Sequence, residues 1–161
     1  MKKHIISVLV ENKFGVLARV ANLFSARGFN IDSLAVGETE DPTISRMTIV
    51  LRGDDKILEQ VKKQLNKLID VISVQDFTRQ ECINREIIMM KVSVEEKKSA
   101  EMLKIIDSVG AKVIDAGPET ITVEETGDGA KIHALLELVR PYGIKEIVRS
   151  GTIAIGKEGK D

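Results

Sequence analysis

A turn between a strand and a helix contains the residues of this chain with the clearest capacity to bind a small molecule. It reads Asn12-Lys13-Phe14-Gly15, and a helical pattern starts at Val16. The first N–H groups of a helix have no internal acceptor and together hold a partial positive charge. A glycine lets a carboxylate approach that backbone closely, and an asparagine adds donors and an acceptor. The same residues are also consistent with a tight turn that has no ligand.

Three further polar residues could contribute to a binding site. Asn30 follows Gly28-Phe29 at the start of the second predicted strand. It can meet the same ligand surface as the turn, or it can bond only to its own backbone. Arg27 and Arg46 could bind an anion, although isolated arginines near strand ends are more often solvated.

The sequence contains no set of residues typical of a catalytic or metal centre. His4 and His133 lie in different halves without a carboxylate at ligand spacing, and Cys82 is the single cysteine. No phosphate-binding glycine loop or zinc-protease motif occurs. The pattern therefore predicts a ligand-binding protein without an active site or metal of its own.

The turn lies within a β-α-β-β-α-β order of elements, which is typical of a ferredoxin-like fold. Strands are predicted at 4–10, 31–38, 46–51 and 71–77. Two amphipathic helices lie between them, and Gly28 ends the first. Their predicted core residues are Leu17, Val20, Ala21 and Phe24, then Ile57, Val61, Leu65 and Leu68.

The same order of elements returns in the second half of the chain. The predicted fold class is therefore α+β, with two ferredoxin-like βαββαβ sandwiches in tandem. Domains are expected at residues 1–77 and 84–161, with a linker at 78–83. The stretch 144–155 is predicted to be extended, with a bend at Gly151. Predicted core residues of the second pair of helices are Ala100, Leu103, Ile105 and Ile106, then Ile132, Leu135, Leu136 and Val139.

Composition disfavours two classes of partner. Lys plus Arg is 24 and Asp plus Glu is 25, so the net charge of -1 does not favour nucleic acid or an anionic membrane surface. One Tyr and no Trp leave little aromatic surface for base stacking. The apolar runs are strand-sized, and residues 1–4 lead into a strand without a signal-peptide core. The expected location is the cytoplasm.

Several stretches resemble the acetolactate synthase small-subunit family. LVENKFGVLARVANLFSARGFNIDSLAVG and DPTISRMTIV are similar to the N-terminal ACT domain of that family. LNKLIDVISVQDF, Asn84-Arg85-Glu86-Ile87 and IVRSGTIAIGK extend the resemblance over nearly the whole chain. It implies a regulatory subunit, not an enzyme, in branched-chain amino-acid (valine, isoleucine, leucine) biosynthesis. The subunit would activate the catalytic subunit and confer allosteric feedback inhibition by valine.

The resemblance also implies partners and site residues. ACT domains of this family pair side by side into a homodimer, with valine bound between the two copies. The large catalytic subunit would hold thiamine diphosphate, Mg and FAD, and this chain no cofactor. The first-helix turn of one copy would contribute Asn12, Gly15, Val16 and Leu17 to valine binding. The second strand of the other copy would contribute Asn30 and Ile31.

Two departures from the family pattern and one alternative function remain. Ala18 stands where a small hydroxyl residue is common, which removes one possible hydrogen bond, and Phe29 stands where tyrosine is common. The alternative is a free-standing ACT-domain amino-acid sensor that acts on another enzyme or on transcription.

Overall fold

A computed structural model of the chain describes residues 2–158. The chain divides into two compact units, one formed by residues 2–83 with 152–158 and the other by residues 84–151. Each unit contains four antiparallel strands and two helices, and a short last strand adds a fifth strand to the second sheet, which confirms the predicted tandem α+β fold. Within the described residues, no helix is long and apolar enough to span a membrane.

The first unit has the predicted βαββαβ order. Its sheet order is β2-β3-β1-β4, so β2 lies at one edge. Strands β1 and β3 pair over their full lengths, from Lys2 opposite Gly53 to Glu11 opposite Ile44. The elements are β1 (Lys2–Glu11), α1 (Val16–Ala26), β2 (Ile31–Glu38), β3 (Ile44–Gly53), α2 (Asp55–Asn66) and β4 (Val71–Asp76).

One face of this sheet packs against both helices, but α1 is rotated from the predicted orientation. Leu17 was predicted to be in the core, and it is 47% exposed. Val16 and Leu23 are buried instead, with Val20 and Phe24 as predicted. Both sets have helical spacing, so packing against the sheet decides between them. The buried core residues are Ile6, Val8, Val10, Val16, Val20, Leu23, Phe24, Met47, Ile49, Leu51, Leu58, Val61 and Leu65.

The second unit repeats this arrangement with the sheet order β6-β7-β5-β8. Met102 is buried in α3, whereas Leu103, which was predicted to be in the core, is 47% exposed. Ile106 of α3 is buried as predicted, as are Ile132, Leu135 and Val139 of α4. The elements are β5 (Cys82–Ser93), α3 (Ser99–Ser108), β6 (Lys112–Ala116), β7 (Thr120–Gly127), α4 (Gly129–Val139) and β8 (Ile144–Arg149).

The ends of the second unit differ from the predicted domain boundaries. Strand β5 begins at Cys82, inside the predicted linker 78–83. The predicted domain 84–161 also included strand β9 (Ile153–Gly156), which pairs with β5 but groups with the first unit by its contacts. Gly151, with φ of 82°, separates β8 from this last strand. The sequence indicates that 144–155 is extended but not which unit its last strand packs against, because that depends on contacts distant in sequence.

Candidate functional site

The turn before α1 presents backbone N–H groups that no side chain caps within residues 2–158. Gly15 is the N-cap residue, with φ of 81° and ψ of -5°, and it makes no side-chain cap hydrogen bond. Helices α2 and α4 differ, because Asp54 and Asp128 accept hydrogen bonds from the N–H groups of Ile57 and Lys131. The N-terminus of α1 therefore retains donors and partial positive charge that suit a carboxylate.

An ion pair supports this turn. Arg19 donates from Nε and Nη2 to Asp70 Oδ2, both at 2.8 Å. The Asp70 carbonyl accepts from the Glu11 N–H at 2.9 Å, which ties the same residue to the end of β1. A Cβ atom at Gly15 would lie 3.0 Å from Arg19 Nη1. The guanidinium therefore lies against the turn and adds positive charge there. The sequence did not indicate this pair, since 51 residues separate its members.

Asn12 joins the turn to the hairpin between β2 and β3. Its Nδ2 donates to the Pro42 carbonyl at 2.9 Å and to Glu38 Oε1 at 3.2 Å. Its N–H donates to the Thr43 carbonyl at 2.7 Å. Both amide hydrogens have acceptors, so Oδ1 is the atom that can accept a hydrogen bond from a ligand.

The hairpin itself has the structure of a turn closed by its own side chains. Asp41 Oδ1 accepts from the Thr43 hydroxyl at 2.7 Å and from the Thr43 N–H at 2.9 Å. These two hydrogen bonds lower the pKa of the Asp41 carboxyl. Their geometry is that of an Asx turn, which accounts for Asp41-Pro42-Thr43 without a ligand.

Asn30 lies at the start of β2 and is exposed. Its Nδ2 donates to Asp32 Oδ1 at 3.1 Å, and Asp32 Oδ2 in turn accepts from Arg52 Nε at 2.7 Å. Asp32 therefore orients the Asn30 amide and leaves its Oδ1 as an available acceptor. The neighbouring Ile31 is partly buried against the core.

The predicted site residues form two groups at opposite ends of the first sheet. Ile31 pairs with Leu51, whereas Glu11, next to Asn12, pairs with Ile44. Seven residues of β3 separate these positions, which corresponds to about 23 Å at about 3.3 Å per residue. One copy of the chain thus brings Asn12 together with Gly15, Val16 and Leu17, but not with Asn30 and Ile31.

Three other residues considered in the sequence analysis lie outside these two groups. Arg27 lines a groove between α1 and α2 together with Arg19 and Lys67. Arg46 donates to the Ser7 hydroxyl at 2.7 Å. His4 is fully buried, where Nε2 donates to the Gly53 carbonyl at 3.0 Å and Nδ1 bonds to the Thr78 hydroxyl at 2.9 Å, so its role is structural.

Comparison with known proteins places these observations in a family. Residues 6–73 match a family model described as an AHAS small subunit-like ACT domain, and residues 85–158 match one described as small subunit of acetolactate synthase. The probable acetolactate synthase small subunit of Methanothermobacter thermautotrophicus is 51% identical over 96% of this chain and 92% of its own length. That of Archaeoglobus fulgidus is 48% identical over 98% of this chain and 99% of its own.

A solved structure supports the same assignment. The crystal structure of the acetolactate synthase small subunit from Thermotoga maritima matches with a TM-score of 0.88 and 38% identity, over 99% of this chain and 100% of that one. Because two family models match consecutive halves of the chain and a relative is 51% identical over 96% of it, this chain belongs to the acetolactate synthase small-subunit family.

Proposed function

We propose that the chain is a regulatory subunit that binds the large catalytic subunit of acetolactate synthase, raises its activity and makes it sensitive to valine. The family membership supports the partner. The observation that supports an amino-acid effector is the uncapped N-terminus of α1 beside Asn12 and Arg19. Both features concern the first unit.

The position of β2 at the sheet edge supports a site that combines the two groups of predicted residues from two copies. An edge strand has free N–H and C=O groups that can pair with a second copy. Antiparallel pairing of two β2 strands about a two-fold axis near Leu34 and Ala35 would place Ile31 of one copy beside Glu38 of the other. Glu38 already contacts Asn12. Asn30 of the second copy would then lie near the α1 turn of the first.

The ligand chemistry follows from the donors and acceptors at the turn. The effector carboxylate would bind the N–H groups of Gly15 and Leu17, with Arg19 close by. It would also bind the Val16 N–H, which otherwise makes a long hydrogen bond of 3.4 Å to the Lys13 carbonyl. The effector ammonium would donate to the Oδ1 atoms of Asn12 and of Asn30 from the second copy. Leu17 and Val36, which are 47% and 46% exposed, would supply apolar surface for a branched aliphatic side chain.

A site between two copies is suited to regulation. A ligand shifts an equilibrium only by its difference in affinity for the two states, and such coupling is typically about 1–3 kcal/mol. A ligand that contacts both copies would favour one relative orientation of the ACT domains. The catalytic subunit would respond to that orientation.

Calorimetric titration of the purified chain with valine tests the effector site. We expect saturable binding, with a large loss of affinity in Asn30→Ala and in Asn12→Ala. Asn66→Ala is a matched control, because Asn66 is an exposed amide at the end of α2 that bonds the Lys62 carbonyl. Equal valine affinity in all three variants would refute the site.

A further inference from the structure

Part of the face of the first sheet that points away from its helices is closed to solvent. Val50 is fully buried and Phe77 is 6% exposed, yet neither belongs to the core between the sheet and the helices. Side chains alternate along a strand, and Val50 lies between Ile49 and Leu51, which both face the helices. Val50 must therefore be covered from the opposite side.

The last residues of the chain pack against this face. Thr152 and Ala154 are 7% and 9% exposed. A Cβ atom at Gly156 would lie 3.6 Å from Phe77 Cε1 and 3.5 Å from Gln75 Nε2, so this glycine packs directly against the outer face near β4. We call residues 152–157 the C-terminal strap.

Hydrogen bonds hold the strap at both ends. The Thr152 N–H donates to Ser33 Oγ at 3.0 Å, although 119 residues separate the two. At the other end, the Lys157 N–H donates to the Glu81 carbonyl at 3.1 Å, and Lys157 Nζ lies 3.2 Å from Glu81 Oε2. The strap therefore extends from β2, at one edge of the sheet, to the segment that follows β4.

The Ser33 contact lies where β2 is least regular. The pairing of β2 with β3 shifts register between Ile31 and Ser33, so Asp32 has no opposite residue in the ladder. Regular pairing resumes at Ser33 opposite Val50. Ile31 pairs with Leu51 on the other side of this irregularity, so Ser33 lies between the regular part of β2 and the segment Asn30-Ile31. The strap holds Ser33 through the Thr152 N–H, and Arg52 holds the neighbouring Asp32 through an ion pair at 2.7 Å.

We propose that the C-terminal strap is a positioning element of the effector site, with Ser33 as the residue through which it acts. This inference rests on the proposed function, because it assumes that Asn30 and Ile31 contact an amino acid. The strap follows β8 and Gly151 directly in the chain. A change in the second unit that pulls on the strap would therefore reach the effector segment through Ser33, without any ligand contact of its own.

Substitution of Ser33 separates positioning from folding. Ser33→Ala removes the acceptor for the Thr152 N–H, and we expect valine to bind roughly five- to tenfold more weakly, the effect of one lost hydrogen bond. Ser33→Thr keeps a hydroxyl and should restore wild-type affinity. Ser73→Ala makes the same chemical change at an exposed position of β4 and should have no effect. The lost hydrogen bond should lower the unfolding midpoint of Ser33→Ala by only a few degrees, so all three variants should remain folded in the assay.

A second variant displaces the strap itself. Ala154→Asp places a charge at a buried position, so the strap should detach and valine affinity should fall at least as far as in Ser33→Ala. Circular dichroism of the full chain would verify that both units remain folded. If the wild type binds valine and both variants bind it equally well, the positioning role is refuted while the proposed function stands. If the wild type binds no valine, the proposed function itself fails, and this inference fails with it.

Discussion

Substitution of Gly15 should affect stability and valine binding to different extents. Its φ of 81° is a left-handed conformation that costs an L-residue about 1–2 kcal/mol. A Cβ atom there would also lie 3.0 Å from Arg19 Nη1, so the guanidinium must shift. Because that guanidinium is half exposed, weakening of its pair with Asp70 adds at most about 1 kcal/mol. Gly15→Ala should thus reduce the free energy of unfolding by about 1–3 kcal/mol, measured by urea denaturation.

Gly15→Asp imposes the same strain and adds a carboxylate at the helix N-terminus. At the corresponding ends of α2 and α4, Asp54 and Asp128 accept hydrogen bonds from first-turn N–H groups, although their backbone is extended and that of Gly15 is left-handed. The new side chain would occupy the donors that the effector carboxylate needs and would repel that carboxylate. We expect at least about a hundredfold loss of valine affinity, which corresponds to about 2.7 kcal/mol, against about tenfold or less for Gly15→Ala.

The assay is acetolactate formation by the catalytic subunit reconstituted with each variant. Both variants should still activate, since the turn lies in the effector site and the fold is retained. Gly15→Asp should resist valine over the range that inhibits the wild type, and Gly15→Ala should have an intermediate response. Equal valine inhibition in the wild type and Gly15→Asp would refute the assignment of the carboxylate to the α1 turn.

Three further predictions concern stability and assembly. Burial raises the pKa of Asp76, but hydrogen bonds from Thr78 and the Lys62 ammonium outweigh burial and lower it overall. The contribution of Asp76 to stability is therefore present above the unfolded pKa of 3.8 and is lost as the pH falls below it. In Asp76→Asn, the free energy of unfolding should therefore depend less on pH between pH 6 and pH 3 than in the wild type. His4→Ala removes a fully buried ring and leaves the Gly53 carbonyl without its donor, so the free energy of unfolding should fall by about 2–4 kcal/mol. His133→Ala is the control because His133 is exposed. Equal losses of stability in the two variants would contradict a structural role for His4. Val36→Lys places a charge on the β2 edge and should shift sedimentation toward monomer, whereas an unchanged dimer would exclude pairing through β2.

The fold could be predicted from the sequence because apolar spacing and glycine positions are local signals. The same signals left the rotation of α1 open, since Leu17 and Val16 begin helical stripes of equal quality. Packing against β1 and β3 buries Val16 and leaves Leu17 exposed. Exposure of Leu17 is consistent with its predicted place beside a ligand, although it contradicts the predicted core.

The candidate site could be predicted only in part. Gly15 and Asn12 are neighbours in sequence, so their juxtaposition was visible. The interactions that fix the site join distant residues, such as Arg19 with Asp70 and Thr152 with Ser33. Hydrophobic periodicity contains no information about such pairs. For the same reason the sequence predicts the C-terminal strap as part of the second domain, because an extended pattern does not indicate which unit it packs against.

Reconstitution with the large catalytic subunit is the most direct test of the regulatory role. Acetolactate formation would be measured for the catalytic subunit alone, with this chain, and with this chain plus valine. We predict that the chain raises the rate and that valine lowers the raised rate in the wild type but not in Gly15→Asp. A catalytic subunit whose rate is the same with and without this chain, at concentrations where the two co-purify, would contradict the account.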